Sequence, residues 1–227
     1  MGIMNIEALF NISYGLYIVT SGNVEKGNGF ISNTVFQVTA EPPKFALCCN
    51  KNNYTSEIIK KTNIISVSIL QKQASSEIFG RFGYKSGRDF DKMKGMDIKY
   101  GETGVPIVLN ESIAYLECKL IETIDVGTHL LFIVDLINAE IIDNSLEPLT
   151  YSYYREVKKG VAPKNAPTYI DKSKINNIIE NNNLKKFKCT ACGYIYDETV
   201  ESNIFVNLHN DWKCPICGCD KECFILL

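Results

Sequence analysis

Cys189-Thr190-Ala191-Cys192-Gly193-Tyr194, followed after 19 intervening residues by Cys214-Pro215-Ile216-Cys217-Gly218, is the stretch around which this 227-residue sequence is organised. Each C-x-x-C spacing lets one tight turn aim two sulfurs at a single ion, and the glycine after each pair tolerates the positive φ such a turn needs. Two knuckles of this kind facing each other predict a tetrahedral four-thiolate metal site with Cys189, Cys192, Cys214 and Cys217 as ligands. A tetrahedral sulfur set holds zinc or iron equally well, so spacing does not choose between them. Phe187, Tyr194, Tyr196, Trp212 and Phe224 surround the knuckles in sequence and are expected to wrap a knob of roughly 40 residues, too small to carry a core of its own.

The rest of the chain is long enough for one good core: 45% of the residues are apolar. A net charge of −2 gives no reason to expect nucleic acid or an anionic membrane as partner. No apolar run has the length of a membrane-spanning helix, and the first residues lack a basic segment followed by an apolar one. A cytoplasmic protein is the expectation. Of nine cysteines, four go to the metal and the remainder are expected as free thiols in a reducing compartment. Cys48, Cys49 and Cys118 fall in apolar strand-like runs and read as buried thiols. Cys219 and Cys223 flank the second knuckle as spare ligands at most.

Upstream of the knob, Ile6, Leu9 and Phe10 have helical spacing that ends at Gly15. Runs rich in Val, Ile and aromatics follow at 16–20, 29–39, 45–49, 64–70, 113–125 and 130–142, with helical segments near 55–61 and 75–81. Short, mostly antiparallel strands with few helices predict a mainly β domain, a barrel with helical insertions. The polar, Asn-rich residues 171–184 read as a linker.

Three stretches of this domain have binding chemistry. Ser32-Asn33-Thr34-Val35-Phe36-Gln37 opens an apolar strand with small polar groups suited to the edge of a planar heterocycle, or is ordinary turn chemistry. Asn50-Lys51-Asn52-Asn53-Tyr54-Thr55-Ser56 offers a lysine, amides and hydroxyls at a helix N-terminus, an anion site or a plain helix cap. Arg81 to Asp89 is a glycine-punctuated basic loop that grips a phosphate or is solvated. None has the G-x-G-x-x-G or G-K-[ST] pattern of a Rossmann or P-loop site.

Taken together, residues 4–169 resemble the flavin reductase-like, FMN-binding split-barrel family. The pieces that carry the likeness are Ile12 to Thr20, Ser32 to Thr39, Glu41-Pro42-Pro43-Lys44, Asn50 to Thr55, Gly80 to Asp89 and Asp125-Val126-Gly127-Thr128-His129-Leu130. The tail, from Phe187 to Asp197 and from Asp211 to Gly218 with Phe224 behind, resembles a rubredoxin, with the stretch between the knuckles shortened to 198–210. The whole chain resembles the high-molecular-weight rubredoxins. The resemblance implies three parts: a split barrel at 1–170, a linker at 171–184 and a rubredoxin-like Fe(Cys)₄ domain at 185–227. It implies a six-stranded barrel, a homodimer, and FMN near the subunit interface. Ser32, Asn33, Thr34 and Gln37 would line the flavin ring and ribityl chain, and Asn50, Lys51, Tyr54 and Thr55 the phosphate. Lys85, Ser86 and Arg88 would act at the same phosphate or from the partner subunit, and His129 would lie by the nicotinamide. Tyr151, Tyr153, Tyr154 and Arg155 would cover the flavin or belong to a dimer core, while His209 reads as a surface residue.

The implied activity is oxidation of NADH or NADPH, with electrons passing through FMN to the iron and on to an external acceptor, commonly a flavodiiron protein that reduces dioxygen or nitric oxide. Three alternatives stand beside it: a flavoredoxin-like carrier fed by another redox protein, a flavin reductase with a structural zinc knob, and a non-enzymatic binding module. Nothing in the sequence separates NADH from NADPH.

Overall fold

The computed structural model describes residues 6–169, 185–198, 200–201 and 203–227. It forms two compact units, the larger spanning Asn5–Tyr169 and the smaller holding the two knuckles. The linker expected at 171–184 lies outside the described residues.

In the larger unit a 3₁₀ turn (Ile6–Asn11) stands where the sequence predicts a helix. It is followed by β1 (Tyr17–Gly22), β2 (Gly27–Ser32), β3 (Val35–Ala40), β4 (Pro43–Asn50), α1 (Tyr54–Thr62) and β5 (Ile64–Leu70). Next come α2 (Ser76–Phe79), running into a π-helical turn (Gly80–Tyr84), the hairpin β6 (Ile98–Tyr100) and β7 (Pro106–Val108), the long pair β8 (Ser112–Asp125) and β9 (His129–Ile141), and α3 (Tyr151–Glu156). Seven strands form one antiparallel sheet in the order β2-β1-β5-β8-β9-β4-β3.

That order explains both the closure of the barrel and the one strand too many. The run at 29–39, expected as a single strand, is broken at Asn33-Thr34, and its two halves lie at opposite ends of the sheet. Two residues cannot span a flat seven-stranded sheet, whose width at 4.7–4.9 Å per strand is about 30 Å. The sheet therefore curls until its two outer strands approach each other at this break. The interior confirms this, since Val19, Phe30, Leu47, Val67, Cys118 and Phe132 come from six different strands and share one core. At the break, Asn33 leaves the ladder and donates from Nδ2 to Thr168 Oγ1 at 2.7 Å.

Helix α1 begins at Asn53, whose side chain accepts from the Thr55 N–H at 3.0 Å, and ends at Asn63 in the left-handed conformation. Asn53 is thus the cap of this helix. Glu117 on β8 is fully buried and accepts from the N–H groups of Glu102 and Thr103, at 3.1 and 2.6 Å, and from the Thr103 hydroxyl. Those three bonds fix the β6–β7 turn and offset the cost of removing a carboxylate from water.

In the smaller unit β10 (Lys186–Cys189) pairs with β11 (Ile195–Asp197) and β12 (Phe224–Leu226). Its core centres on a residue that the sequence reading did not single out. Phe205 stacks on Phe187 at 4.3 Å between centroids and meets Tyr196, Trp212 and Phe224 at 5.0–5.7 Å. The shortened inter-knuckle stretch therefore supplies the centre of the knob. Buried Glu198 holds it in place by accepting from the N–H of Phe205 at 2.8 Å and of Lys185 at 2.6 Å.

Candidate metal centre and cofactor cleft

The two knuckles fold alike. Gly193 N–H closes a turn on Cys189 O and Gly218 N–H closes one on Cys214 O, each at 2.9 Å. Both glycines have positive φ, 80° and 72°, as the spacing predicts. The turns bring the Sγ atoms of Cys189, Cys192, Cys214 and Cys217 within 4.8 Å of one another. Cys189 and Cys217 are 3.7 Å apart, and Cys192 and Cys214 3.6 Å. A metal–sulfur bond of about 2.3 Å at the centre of a tetrahedron requires edges of about 3.8 Å, so the donor set fits a single zinc or iron ion. Cys219 and Cys223 are not free thiols or spare ligands, as the sequence suggests; they are joined in a disulfide. His209 is an exposed residue beside Asp211.

The larger unit has a cleft of about 190 Å³ between β2, the N-terminus of α1, the π-helical turn and the segment 163–167. Of the residues predicted to bind a cofactor, Ser32, Asn50, Tyr54, Lys85 and Ser86 line it. Asn33 faces the neighbouring apolar pocket, and Thr34 lies beside Cys48, which does line the cleft. Burial pushes the Cys48 thiol up, and the Thr34 hydroxyl opposes that shift in part. Thr55 is fully buried with its hydroxyl unpartnered among the described residues. Lys51 is turned away to Asp125, 2.6 Å from its carboxylate, and this bond holds the Asp125 carboxyl below its ordinary range. Arg88 pairs with Glu57 on α1 and lies over the Tyr54 ring, 4.8 Å from its centroid. Gln37 is apart from the others, on exposed edge strand β3, bonded to Thr39 O at 3.1 Å.

His129 stands opposite Asn50 in the β4–β9 ladder. Its Nε2 is 3.1 Å from Asn165 O and its Nδ1 2.8 Å from Thr128 Oγ1. Segment 161–169 is thereby tied down at three points: to His129, to Asn33 and, through Val161 O, to the Tyr84 hydroxyl. Tyr151 and Tyr154 are buried in the core on α3, where Tyr154 packs on Phe79.

The electrostatics of the cleft come from a residue absent from the sequence-derived set. Lys92 is 4% exposed, lines the cleft, and donates from Nζ to Gly29 O at 2.8 Å and Phe82 O at 3.2 Å. A third N–H is left over. Lys85 also lines the cleft, its ammonium 4.1 Å from the Phe90 ring centroid, and among the described residues no Asp or Glu does so. Two cations, several amides and hydroxyls and no carboxylate make the cleft complementary to an anion. In sequence Lys92 lies three residues beyond the basic loop, without a pattern to mark it.

Residues 9–160 match the flavin reductase like domain family. The high molecular weight rubredoxin of Moorella thermoacetica is 38% identical over 230 residues, 97% of this chain and 99% of that protein. The ferric-chelate reductase (NAD(P)H) of Archaeoglobus fulgidus is 42% identical over 168 residues, 74% of this chain and 99% of its own length. Among solved structures, the flavin reductase HpaC in complex with NADP+ superposes with a TM-score of 0.55 at 26% identity, over 64% of this chain and 90% of that one.

Burial lowers the Lys92 ammonium from the usual 10.5 to about 8, with a smaller opposing effect from Cys49. Between those values the unfolded chain holds the Lys92 proton that the folded one releases, so the Lys92 contribution to folding stability rises as pH increases from about 8 toward 10.5. The buried thiols of Cys49 and Cys118, pushed up by burial, act in the opposite sense, so the readout is a difference: the urea midpoint of the flavin-free protein minus that of its Lys92→Met variant is predicted to climb across this window. Parallel pH profiles for the two proteins contradict the assignment.

Proposed function

The chain belongs to the flavin reductase-like family, with a rubredoxin-like C-terminal unit, and we propose that it oxidises NAD(P)H and passes the electrons through bound FMN to an iron held by Cys189, Cys192, Cys214 and Cys217. An external protein, of the flavodiiron O₂- or NO-reducing class, then takes them from the iron. A flavin accepts a hydride as an electron pair and releases electrons singly, whereas a four-thiolate iron handles one at a time. The observation that carries the reading is the pairing, in one chain, of an anion-complementary cleft on this barrel with a preformed four-sulfur site.

The residues divide the work. Lys85, Ser86, Asn50 and Tyr54 hold the phosphate end of FMN, and Ser32 with Asn33 and Thr34 the ring and ribityl side. His129 orients the nicotinamide once Asn165 O gives up its bond. Lys51 and Arg88 act indirectly, by fixing the β4–α1 turn and the basic loop through Asp125 and Glu57. Gln37 reaches a flavin only across a subunit interface. We assign that interface to a second copy of the chain, docked on the β3 side of the sheet. Five consecutive β3 residues, Phe36 to Ala40, are exposed, with Phe36 54% accessible, and Ile121, Ile124 and Ile137 on β8 and β9 are exposed as well. Among the described residues no helix is long and apolar enough to cross a membrane.

Three outcomes test this reading. Cys189→Ser is predicted to abolish electron transfer to an external acceptor while NADH still reduces the flavin; loss of both in a folded, flavin-bound protein would separate the activity from the proposed route. Lys85→Met is predicted to weaken FMN roughly tenfold or more, the size of one charged hydrogen bond, but riboflavin much less. An equal loss for the two ligands would remove Lys85 from the phosphate. Sedimentation of the native chain is predicted to show a dimer that Val38→Glu converts to monomer, and a native monomer overturns the interface.

A further inference from the structure

One described chemical group has no part in the function above, the disulfide between Cys219 and Cys223, four residues apart with Cα atoms separated by 6.3 Å. Of the nine cysteines these are the two that are bonded to each other; the remaining seven are free. A bridge across so short a segment removes little freedom from the unfolded chain. The segment is also already pinned without it. Lys213 pairs with Asp220 at 2.7 Å, and Lys221 donates to Val206 O and Leu208 O at 3.0 and 2.9 Å. Stabilising the fold is therefore a poor account of the bond.

Its connections lead to the four-sulfur site. Cys219 O accepts from the N–H of Cys214, itself one of the four sulfur donors, at 2.8 Å. Cys223 O accepts from both the N–H and the hydroxyl of Thr190, inside the first knuckle, at 2.8 Å each. Each half of the bridge thus touches one knuckle through its own backbone. The hydrogen-bonded backbone that carries the ligand sulfurs sets how readily a thiolate-bound metal accepts an electron, so a change in these bonds is felt at the centre. Both cysteines are half-buried, not enclosed, which leaves them open to a thiol reagent.

We propose that Cys219–Cys223 is a reversible dithiol–disulfide site that tunes the reduction potential of the adjacent four-thiolate centre. A dithiol, small or protein-borne, attacks one sulfur as its thiolate and breaks the Cys219–Cys223 bond. Its second thiol then resolves the mixed disulfide. Two electrons and two protons pass to Cys219 and Cys223, and the dithiol leaves as its own disulfide. The reverse exchange with an oxidised disulfide closes the site. Opening it frees Cys219 O and Cys223 O to shift relative to the N–H groups of Cys214 and Thr190. The effect on the centre rests on the metal-site reading, whereas the exchange itself does not.

The experiment uses the full iron-loaded chain, kept anaerobic. After exposure to oxidised glutathione, accessible thiols are blocked with one alkylating reagent. The protein is then treated with dithiothreitol, labelled with a second reagent and mapped by mass spectrometry. Cys219 and Cys223 are expected to take the second label and the four ligands neither. First-reagent label on Cys219 and Cys223 overturns the proposal. First-reagent label on the ligand cysteines sinks the metal-site reading instead, with the pair judged on its own labels. The midpoint potential of the iron is expected to differ between the disulfide and dithiol forms, and to be independent of thiol treatment in a Cys219→Ser, Cys223→Ser double variant. Identical midpoints for the two wild-type forms overturn the tuning.

Discussion

Four sulfurs within 4.8 Å of one another are the constraint on which the small unit depends. As thiolates at 3.6–3.7 Å, each close pair repels by about 4 kcal/mol at the effective dielectric of a protein surface. Only a cation among them turns that repulsion into cohesion. The aromatic cluster around Phe205 then has a fixed edge to pack against, and a unit of few residues acquires a core. Metal and aromatics support each other: the knuckle turns place the sulfurs, and the bound ion holds the two ends of the aromatic layer together.

The larger unit solves a different problem, the binding of an anionic ligand on a chain with net negative charge. It does so locally. Lys92 is buried against two backbone carbonyls, and Lys85 is held over an aromatic ring, while the nearby carboxylates of Glu57 and Asp125 are occupied by Arg88 and Lys51 outside the cleft. Burial makes the Lys92 ammonium hold its proton less firmly than a free lysine does. A ligand that brings a compensating negative charge raises that hold and is bound by the ammonium it stabilises.

Much of this was legible in the sequence because it is local. The knuckle spacing names all four sulfurs and both positive-φ glycines, and the runs at 64–70, 113–125 and 130–142 lie within two residues of β5, β8 and β9. What escaped was set by tertiary contacts. The run at 29–39 has strand character throughout, and only barrel closure breaks it at Asn33-Thr34. Phe205, between Ile204 and Val206, is one of several apolar residues in the inter-knuckle stretch and becomes central only once Glu198 binds its N–H. Lys92 resembles any surface lysine until Gly29 and Phe82 surround it. Lys51 and Arg88, expected as ligand groups, pair with Asp125 and Glu57, partners that no local pattern announces. The disulfide escaped because reducing-compartment reasoning assigns thiols by number, whereas the bond follows from the turn at 219–223.

The central claim is that one chain carries electrons from a pyridine nucleotide through a flavin to a four-thiolate iron. Anaerobic visible-absorption titration of the purified, FMN- and iron-loaded protein with NADH tests it most directly. The account predicts that the flavin and ferric-thiolate bands bleach together. Full bleaching of the flavin over an unchanged ferric-thiolate band contradicts it.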